Sequence, residues 1–253
     1  GPTVPAVGIE GLKVEEINSK VAQYWSVSVT EETASTQIDL AKNFEAGKVL
    51  VAEYQSAGRG RLDRKFEVPP RKGLTFSFCI SAIKDFGWIP LITGLAVARA
   101  INNYLGEARV EIKWPNDLLI NGKKLAGILS EKQPDGVIVG VGINIFQSAE
   151  ELPIANAISL SMVADVDRSA LLIEILKDLG VAFTNLELEK SSGLSIEIIA
   201  TTTLCRQGPA LCLVAQEARS NFRNDLPRGE GKNLCERSEL WVTEYAFGPV
   251  VRK

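Results

Sequence analysis

Three short apolar runs, with a turn signal between the last two, constrain the fold of this chain more than any other feature. Val110 to Lys113, Leu118 to Asn121 and Leu125 to Glu131 have the length and composition of β-strands. Asn121-Gly122 is typical of a two-residue hairpin turn, and Pro115-Asn116 separates the first two runs. Strands joined by such short turns pair antiparallel, so this region predicts an antiparallel part of a sheet.

The preceding and following segments alternate strands with helices. Ser35 or Thr36 offers a side-chain N-cap to a helix that runs to about Phe44. Longer helices are predicted from Trp88 to Leu105 and from Arg168 to Glu189, the second with one apolar stripe that faces the sheet. Further strands are predicted over residues 24–31, 48–54, 73–82 and 137–146. The pattern indicates an α+β fold, with a mixed or antiparallel β-sheet flanked by helices.

Composition excludes several classes of protein. The 253 residues are 45% hydrophobic and 23% charged, with a net charge of −3, so the chain as a whole does not attract nucleic acid or anionic lipid. No apolar run approaches the roughly 18 residues of a membrane helix and no signal peptide is visible, which predicts a cytoplasmic protein. The absence of histidine excludes Ser-His and Cys-His nucleophiles. Cys79, in an apolar run, is expected to be a buried and inert thiol.

A basic, glycine-punctuated loop is the first candidate for ligand binding. Residues 56–72 contain six lysines and arginines but only two acidic residues. Gly58 and Gly60 are expected to adopt positive φ and to let the backbone approach a ligand. The guanidinium groups of Arg59, Arg61 and Arg64 suit carboxylate and phosphate, and the loop is expected to be mobile until a ligand binds. A solvated connector or a nucleic-acid contact remains an alternative reading of this loop.

The hairpin region carries a second set of charged and amide side chains. Lys113 and Lys124 are cations, Asp117 offers a hard oxygen for Mg²⁺, and Asn116 offers both an oxygen and a donor. A lysine fixed on a strand beside Gly127 could bridge a carboxylate and the α-phosphate of ATP, which is the charge arrangement that forming an acyl-adenylate requires. The alternative is that these are surface lysines flanking an ordinary turn.

Four ordered motifs within about 110 residues resemble the biotin protein ligases, also called biotin–[acetyl-CoA-carboxylase] ligases. They are Ala52-Glu53-Tyr54-Gln55 running into Gly58-Arg59-Gly60-Arg61, then Lys113-Trp114-Pro115-Asn116-Asp117, then Lys124-Leu125-Ala126-Gly127, then Gly140-Val141-Gly142-Ile143-Asn144. Ser35-Thr36 stands in the family's early "ST" position. The resemblance covers residues 22–190 and implies the class II synthetase-like core of the biotin and lipoate ligases.

The resemblance implies a role for each matching residue. It implies that Lys124 is the catalytic lysine of both half-reactions, and that ATP, Mg²⁺ and biotin are the ligands. A biotin carboxyl carrier protein would receive the biotin. The biotin head group would be held by Ser35, Thr36, Gln55 and Arg61, with Gly127 lining its pocket. The adenylate phosphate would be held by Arg59 and Arg64, and ATP and Mg²⁺ by Asn116, Asp117 and Asn144, with Asp117 as the metal ligand.

Departures from the family pattern affect two positions of the loop and both ends of the chain. Asp63 replaces a glycine, and Phe66 replaces a tryptophan that can cover adenine, although Phe66 keeps a stacking face. The chain begins Gly1-Pro2, as a processing scar or a fragment edge would. No helix-turn-helix domain precedes the core, which implies a monofunctional ligase that does not bind DNA.

The last residues do not match the small SH3-like domain with which such ligases end. One hypothesis is an out-of-frame translation, because codons can be chosen for Ile198 to Cys212 that read YRNNDTLSTGTRV in another frame; the alternative is a divergent end domain. The expected organisation is an N-terminal extension with a first helix over 1–21, a catalytic domain over 22–194 and a segment of unpredicted fold, frameshifted or disordered, over 195–253.

Three other functions remain open from the sequence. A lipoate or octanoate ligase shares the superfamily's fold and acyl-adenylate chemistry, but its lysine lies in a different motif. A nucleic-acid-binding module using the basic loop would bind DNA or RNA in a salt-sensitive way without turning over ATP. A degenerate protein that binds its ligand without catalysis is a third possibility.

Overall fold

The computed structural model describes residues 8–60, 66–82, 86–113 and 115–192, without the side chains of Trp88 and residues 185–192. The chain divides into two compact units, Gly1–Asn185 and Leu186–Lys253. Arg61, Arg64 and Trp114 lie outside the described residues. The hypotheses about residues 195–253 also concern residues outside the described ranges. So does the expectation of a mobile basic loop, as far as it concerns residues 61–65.

Helices and strands alternate along the described residues much as the sequence predicts. The α-helices are α1 (Val14–Val21), α2 (Thr36–Lys42), α3 (Ile89–Asn102) and α4 (Arg168–Ser192). The strands are β1 (Ser26–Thr30), β2 (Lys48–Ala52), β3 (Gly73–Ser81), β4 (Val110–Lys113), β5 (Asp117–Ile120), β6 (Lys123–Gln133) and β7 (Gly136–Asn144). Short 3₁₀ turns precede α3 and α4, at Phe86–Trp88 and Leu160–Met162. None of the helices in the described ranges is both long enough and apolar enough to cross a bilayer.

The strands of the described residues form one seven-stranded sheet in the order β1-β2-β3-β7-β6-β5-β4. β1 and β2 are parallel, and every other neighbouring pair is antiparallel. This confirms the predicted mixed sheet flanked by helices. β7 lies at the centre, paired with β3 along its whole length and with β6 along most of it, and each of its nine residues is buried.

The β5–β6 hairpin forms where the sequence predicts it. Ile120 pairs with Lys123 across the two-residue turn Asn121-Gly122, whose φ values are 51° and 72°. Two successive positive φ angles are the mark of a type I′ turn, which asparagine and glycine tolerate better than other residues. The turn therefore fixes where β6 begins, and with it the position of Lys124.

A bulge follows directly in the same hairpin. Leu118 pairs with Ala126 and Leu119 pairs with Lys124, so Leu125 is an extra residue in β6. Leu125 is fully buried. An extra residue reverses the alternation of side chains beyond it, so residues 124 and 127 can face the same side of the sheet.

The helices cover the sheet with apolar faces. In α4, Leu172, Ile175, Leu176 and Leu179 are fully buried, which confirms the predicted stripe over the described part of that helix. The indole N–H of Trp25 donates to the carbonyl oxygen of Leu176 at 2.7 Å, which ties α4 to the start of β1. Cys79 is fully buried, as predicted, and burial raises the pKa of its thiol.

The start of α2 differs from the prediction in one respect. Ser35 is the N-cap residue, with extended backbone, but its hydroxyl makes no capping hydrogen bond. Instead the first helical N–H, that of Thr36, donates to Oε1 of Gln55 at 2.8 Å. The unpaired donor of the helix end is thus satisfied from a distant loop, which a local capping rule does not detect.

Candidate functional site

One cavity of about 290 Å³ lies over β6 and β7 beside the start of α2 and the stems of the basic loop. Residues far apart in the sequence meet there, because β6 and β7 are neighbours at the centre of the sheet. The cavity lining includes eleven of the residues predicted to bind ligands. They are Ser35, Thr36, Gln55, Arg59, Gly60, Phe66, Asn116, Asp117, Lys124, Gly127 and Asn144.

Uncharged polar groups form one part of the lining. The hydroxyl of Thr36 donates to Gln55 Oε1 at 3.0 Å and lies 2.7 Å from the hydroxyl of Ser77. Thr36 and Ser77 are almost completely buried. A compact set of hydroxyl and amide groups in a buried wall suits a ligand that carries both hydrogen-bond donors and acceptors but no charge at that end.

Opposite charges form another part. Lys124 Nζ lies 2.8 Å from Asp117 Oδ1, with the two side chains 32% and 24% exposed. A β-carbon added to Gly127 would stand 3.6 Å from the same ammonium and 3.9 Å from the same carboxylate oxygen. The lysine therefore lies over the glycine, as the sequence predicts, and the bulge at Leu125 is what brings them to one face.

The backbone of Lys124 is fixed by a separate segment. Its N–H donates to the carbonyl oxygen of Asn156, and its own carbonyl oxygen accepts from the N–H of Ile158, both at 2.9 Å. These two bonds hold the strand against residues 156–158, of which Ala157 also lines the cavity. Because the main chain of Lys124 is already ordered, only side-chain freedom is lost when its ammonium binds an anion.

The two predicted asparagines are engaged with the protein. Asn116 Nδ2 donates to the carbonyl oxygen of Ile128, and the N–H of Ile128 donates back to the carbonyl oxygen of Asn116. Asn144 donates to the carbonyl oxygen of Ile158, while its Oδ1 accepts from Gln147 Nε2 at 2.8 Å. Both side chains line the cavity in orientations that the protein has already set.

The basic loop has two stems, residues 53–58 on its entry side and residues 66–73 on its exit side, and these stems are in close contact. The N–H of Phe66 donates to the carbonyl oxygen of Gly58 at 2.9 Å. A β-carbon on Gly58 would collide with the carbonyl oxygen of Phe66. The φ of Gly58 is not positive, so that part of the prediction is wrong: this glycine is required by the closeness of the other stem rather than by its own conformation.

Arg59 is paired with an acid rather than directed at a free anion site. Its Nη2 lies 2.9 Å from Glu131 Oε1 near the end of β6, and both side chains are partly exposed. Exposed pairs of this kind contribute little to stability, typically about 0–1 kcal/mol. The guanidinium is therefore available to a stronger anion that enters the cavity it lines.

Gly140 and Gly142 of β7 form the bottom of the cavity. A β-carbon on Gly142 would overlap the ring of Phe66, and one on Gly140 would overlap the carboxamide of Gln37. Phe66 and Gln37 thus lie directly on the backbone of the central strand. Gln37 is buried and donates to the carbonyl oxygen of Leu129.

Some residues are placed differently from the prediction, and others were missed. Lys113 is exposed on β4 and does not line the cavity. Gly58 is buried and does not line it either, and Arg61 and Arg64 are outside the described residues. Gln37 and Ser77 are lining residues that the sequence did not indicate. Gln37 directly follows Ser35-Thr36, but Ser77 gives no signal because an apolar strand contains serines for many reasons.

The described part of the lining offers too few metal ligands to bind Mg²⁺ without a nucleotide. Asp117 supplies one carboxylate, and no group of three potential ligands among His, Cys, Asp and Glu occurs within the described residues. Magnesium is commonly held by one or two carboxylates plus substrate phosphates. The donor set therefore fits a metal that arrives with a nucleotide and is shared with its phosphates.

Comparison with known proteins gives a consistent set of relatives. The Biotin/lipoate A/B protein ligase family matches residues 26–145. The biotin–[acetyl-CoA-carboxylase] ligase of Mycobacterium tuberculosis is 35% identical over 165 residues, which are 60% of this chain and 62% of the relative. The bifunctional ligase/repressor BirA of Bacillus spizizenii is 34% identical, over 66% of this chain and 54% of the relative. This chain thus spans about half to three fifths of the length of these two relatives.

A solved structure extends the likeness to three dimensions. The biotin protein ligase from Aquifex aeolicus, in complex with biotin and ATP, superposes with a TM-score of 0.61 at 32% identity. The match covers 73% of this chain and 79% of that one. Most of this chain therefore adopts a fold already known.

Proposed function

We propose, because this chain belongs to the Biotin/lipoate A/B protein ligase family, that it activates biotin with ATP as biotinyl-5′-AMP and transfers it to a lysine of a biotin carboxyl carrier protein. One observation carries the proposal. A single cavity contains an uncharged polar wall, at Thr36 and Gln55, and a fixed ammonium, at Lys124. Biotin has the same division, with an uncharged ring system at one end and a carboxylate at the other.

In the first half-reaction the carboxylate of biotin attacks the α-phosphorus of ATP. A bond forms between the carboxylate oxygen and phosphorus, the bond to the bridging oxygen breaks, and pyrophosphate leaves. Two anions must approach each other, so a preorganised cation is needed where their charges meet. Lys124 would occupy that position, held by the backbone bonds to residues 156–158.

The other lining residues would bind and orient the two substrates. Thr36 and Gln55, with Ser35, would hold the uncharged ring, and Gly127 would leave room for the chain that follows it. Phe66 offers a flat face for adenine. Arg59, once released from Glu131, would contact the phosphate. When bound, Mg²⁺ would lower the negative charge of the phosphates, with Asp117 as its protein ligand and Asn116 and Asn144 close by.

In the second half-reaction the amine of the carrier lysine attacks the carbonyl carbon of the mixed anhydride. The new C–N bond forms an amide as the nitrogen releases a proton to solvent, the bond between that carbon and the phosphate oxygen breaks, and AMP leaves with its negative charge. Lys124 would stabilise the same phosphate oxygens in this step, since they again gain charge in the transition state.

The test is to incubate the purified chain with biotin, Mg²⁺-ATP and a biotin carboxyl carrier domain. We expect pyrophosphate and biotinyl-AMP without the carrier, and a mass increase on the carrier lysine with it. Parallel reactions with lipoate and octanoate should give no product, in keeping with the biotin ligases among the relatives. Tight biotin binding without any mass increase would identify a non-catalytic binding protein and overturn the proposal.

A further inference from the structure

The most deeply buried ion pair of the described residues lies outside the cavity. Glu53 and Arg168 have side chains only 2% and 4% exposed, and Glu53 Oε2 lies 2.6 Å from Arg168 Nη1. Glu53 stands two residues before Gln55, at the entry to the basic loop. Arg168 begins α4. Neither residue lines the cavity.

Both ends of the basic loop are attached to this pair. On the entry side Glu53 belongs to the loop stem itself. On the exit side, the N–H of Arg71 donates to the carbonyl oxygen of Glu53 at 2.8 Å, and Arg168 Nη1 donates to the carbonyl oxygen of Gly73 at 3.1 Å. The pair therefore sets the distance between the stem that carries Gln55 and the stem that carries Phe66.

The N-terminal segment closes the network. Glu53 Oε1 accepts from the N–H of Leu12 at 2.7 Å, and Arg168 Nη2 donates to the carbonyl oxygen of Glu10 at 2.7 Å. Both carboxylate oxygens are therefore bonded, and the guanidinium donates to two backbone carbonyls as well as to Glu53. No pair of apolar side chains could make these bonds to the main chain.

The energetics favour a geometric role. Removing two charges from water is costly, and replacing a buried ion pair by apolar groups of similar size is often neutral or stabilising. A buried pair is therefore weak evidence for stability. Its bonds to the backbone of two other segments, residues 10–12 and Gly73, instead fix the positions of those segments relative to Glu53 and the start of α4. The stems converge a few residues farther on, where the backbone of Gly58 contacts that of Phe66.

We propose that Glu53 and Arg168 are positioning residues that hold the two stems of the basic loop at the spacing at which Gln55 and Phe66 line the ligand cavity. They touch no ligand themselves and act through those two side chains. The expected role in biotin and ATP binding rests on the function proposed above, whereas the effect on the stems does not.

The experiment compares a single and a double substitution. Arg168→Met leaves Glu53 buried without its partner, so both stability and stem geometry should suffer. Glu53→Leu combined with Arg168→Met restores an apolar pair, so the melting temperature should recover. The bonds from these two side chains to the main chain stay lost, so the stems should open more often. Hydrogen exchange at the N–H groups of Phe66 and Arg71, whose main-chain acceptors Gly58 and Glu53 remain in place, should therefore stay faster than in the unsubstituted chain, by about tenfold or more. Amides of the β3–β7 pairing serve as the internal reference.

Ligand binding provides the second measurement. In the double variant the dissociation constant of biotin should remain at least about tenfold higher than in the unsubstituted chain, because misplaced binding groups lose affinity even in a folded protein. Ser169→Ala is the matched control on the same helix: it removes the acceptor of the Lys13 N–H but leaves the ion pair intact, and its stem exchange should be unchanged. Arg168→Lys keeps the charge with fewer donors, and should also exchange faster than the unsubstituted chain.

A double variant with unchanged stem exchange and unchanged biotin affinity would overturn the proposal, as would an Arg168→Lys variant that matches the unsubstituted chain in both. The second criterion applies even if the apolar pair fails to fold. Hydrogen exchange needs no ligand, so failure of the unsubstituted chain to bind biotin would refute the proposed function and leave the conclusion about the stems to be judged on exchange alone.

Discussion

Lys124 and Asp117 form a 2.8 Å ion pair inside the cavity, although each is a separate candidate for binding ATP. They come from neighbouring strands, and Asp117 pairs directly with Gly127, beyond the bulge. The pair places the expected catalytic cation beside the expected metal ligand before any substrate binds. Phosphates and Mg²⁺ would each offer these side chains a new partner, so binding of the nucleotide should exchange this contact for two others.

Substitution of the lysine tests its catalytic role. Lys124→Ala should reduce the rate of biotinyl-AMP formation by at least about 10²-fold, on the order of 3 kcal/mol, because one preorganised electrostatic donor is lost. Pyrophosphate release under single-turnover conditions measures this rate. Lys123→Ala, at the exposed neighbouring position, is the matched control and should react normally. A Lys124→Ala enzyme of near-normal rate would refute the assignment.

Substitution of Asp117 distinguishes between two roles of its carboxylate, as a ligand of Mg²⁺ or only as the ion-pair partner of Lys124. Asp117→Asn should raise the Mg²⁺ concentration needed for half-maximal activity by about tenfold or more, since a carboxylate binds this ion better than an amide. Biotin affinity without ATP, measured by calorimetry, should change little. An unaltered Mg²⁺ requirement would show that the carboxylate only orients the lysine.

The contact between the loop stems predicts that Gly58 tolerates no side chain. Gly58→Ala should weaken biotin binding and lower stability by about 1–3 kcal/mol, because the new methyl group meets a backbone oxygen that cannot rotate away. Gly106→Ala is a suitable control, since a β-carbon there has no neighbour within 4 Å. Equal thermal stability and equal biotin affinity for the two variants would contradict the close approach of the two stems.

An ion pair near the exit of the loop predicts an acid-sensitive contribution to stability. Lys72 Nζ lies 2.5 and 2.7 Å from the two carboxylate oxygens of Glu151, and this contact holds the pKa of Glu151 below its ordinary value. A lowered pKa stabilises the fold above the ordinary carboxyl range, and that contribution is lost as the pH falls through the folded value. Glu151→Gln should therefore make the free energy of unfolding less dependent on pH below about 5. Urea titrations from pH 7 to pH 3 measure this, and curves parallel to those of the unsubstituted chain would exclude the effect.

The buried thiol predicts a difference in reactivity. Burial raises the pKa of Cys79, so little thiolate forms and the sulfur is inaccessible in the folded state. Alkylation by iodoacetamide at pH 8, followed by peptide mass mapping, should leave Cys79 unmodified until denaturant is added. Rapid labelling of the native protein at this residue would show that β3 opens readily.

Local sequence rules predicted the elements well, because each rule acts over a few residues. Asn121-Gly122 fixes its turn through its own φ angles, and the apolar stripe of α4 follows helical spacing. The residues predicted to bind ligands include eleven that line the cavity, among them Gln55, Asp117 and Lys124. Ser77 escaped notice, since a serine in a buried strand becomes a binding group only when Thr36 is brought beside it.

The sequence by itself determined the residue types, the turns and the alternation of helices and strands, all of which depend on the backbone preferences and polarity of nearby residues. The tertiary structure decided which side chains lie on the same face of the sheet. Lys124 and Gly127 meet because an extra residue in β6 changes the alternation between them, and that bulge exists only in the pairing with β5. Likewise Glu53 and Arg168, 115 residues apart, become one unit only when the N-terminal segment, the loop stems and α4 pack together. Such contacts depend on the position of the whole backbone, which no local pattern encodes.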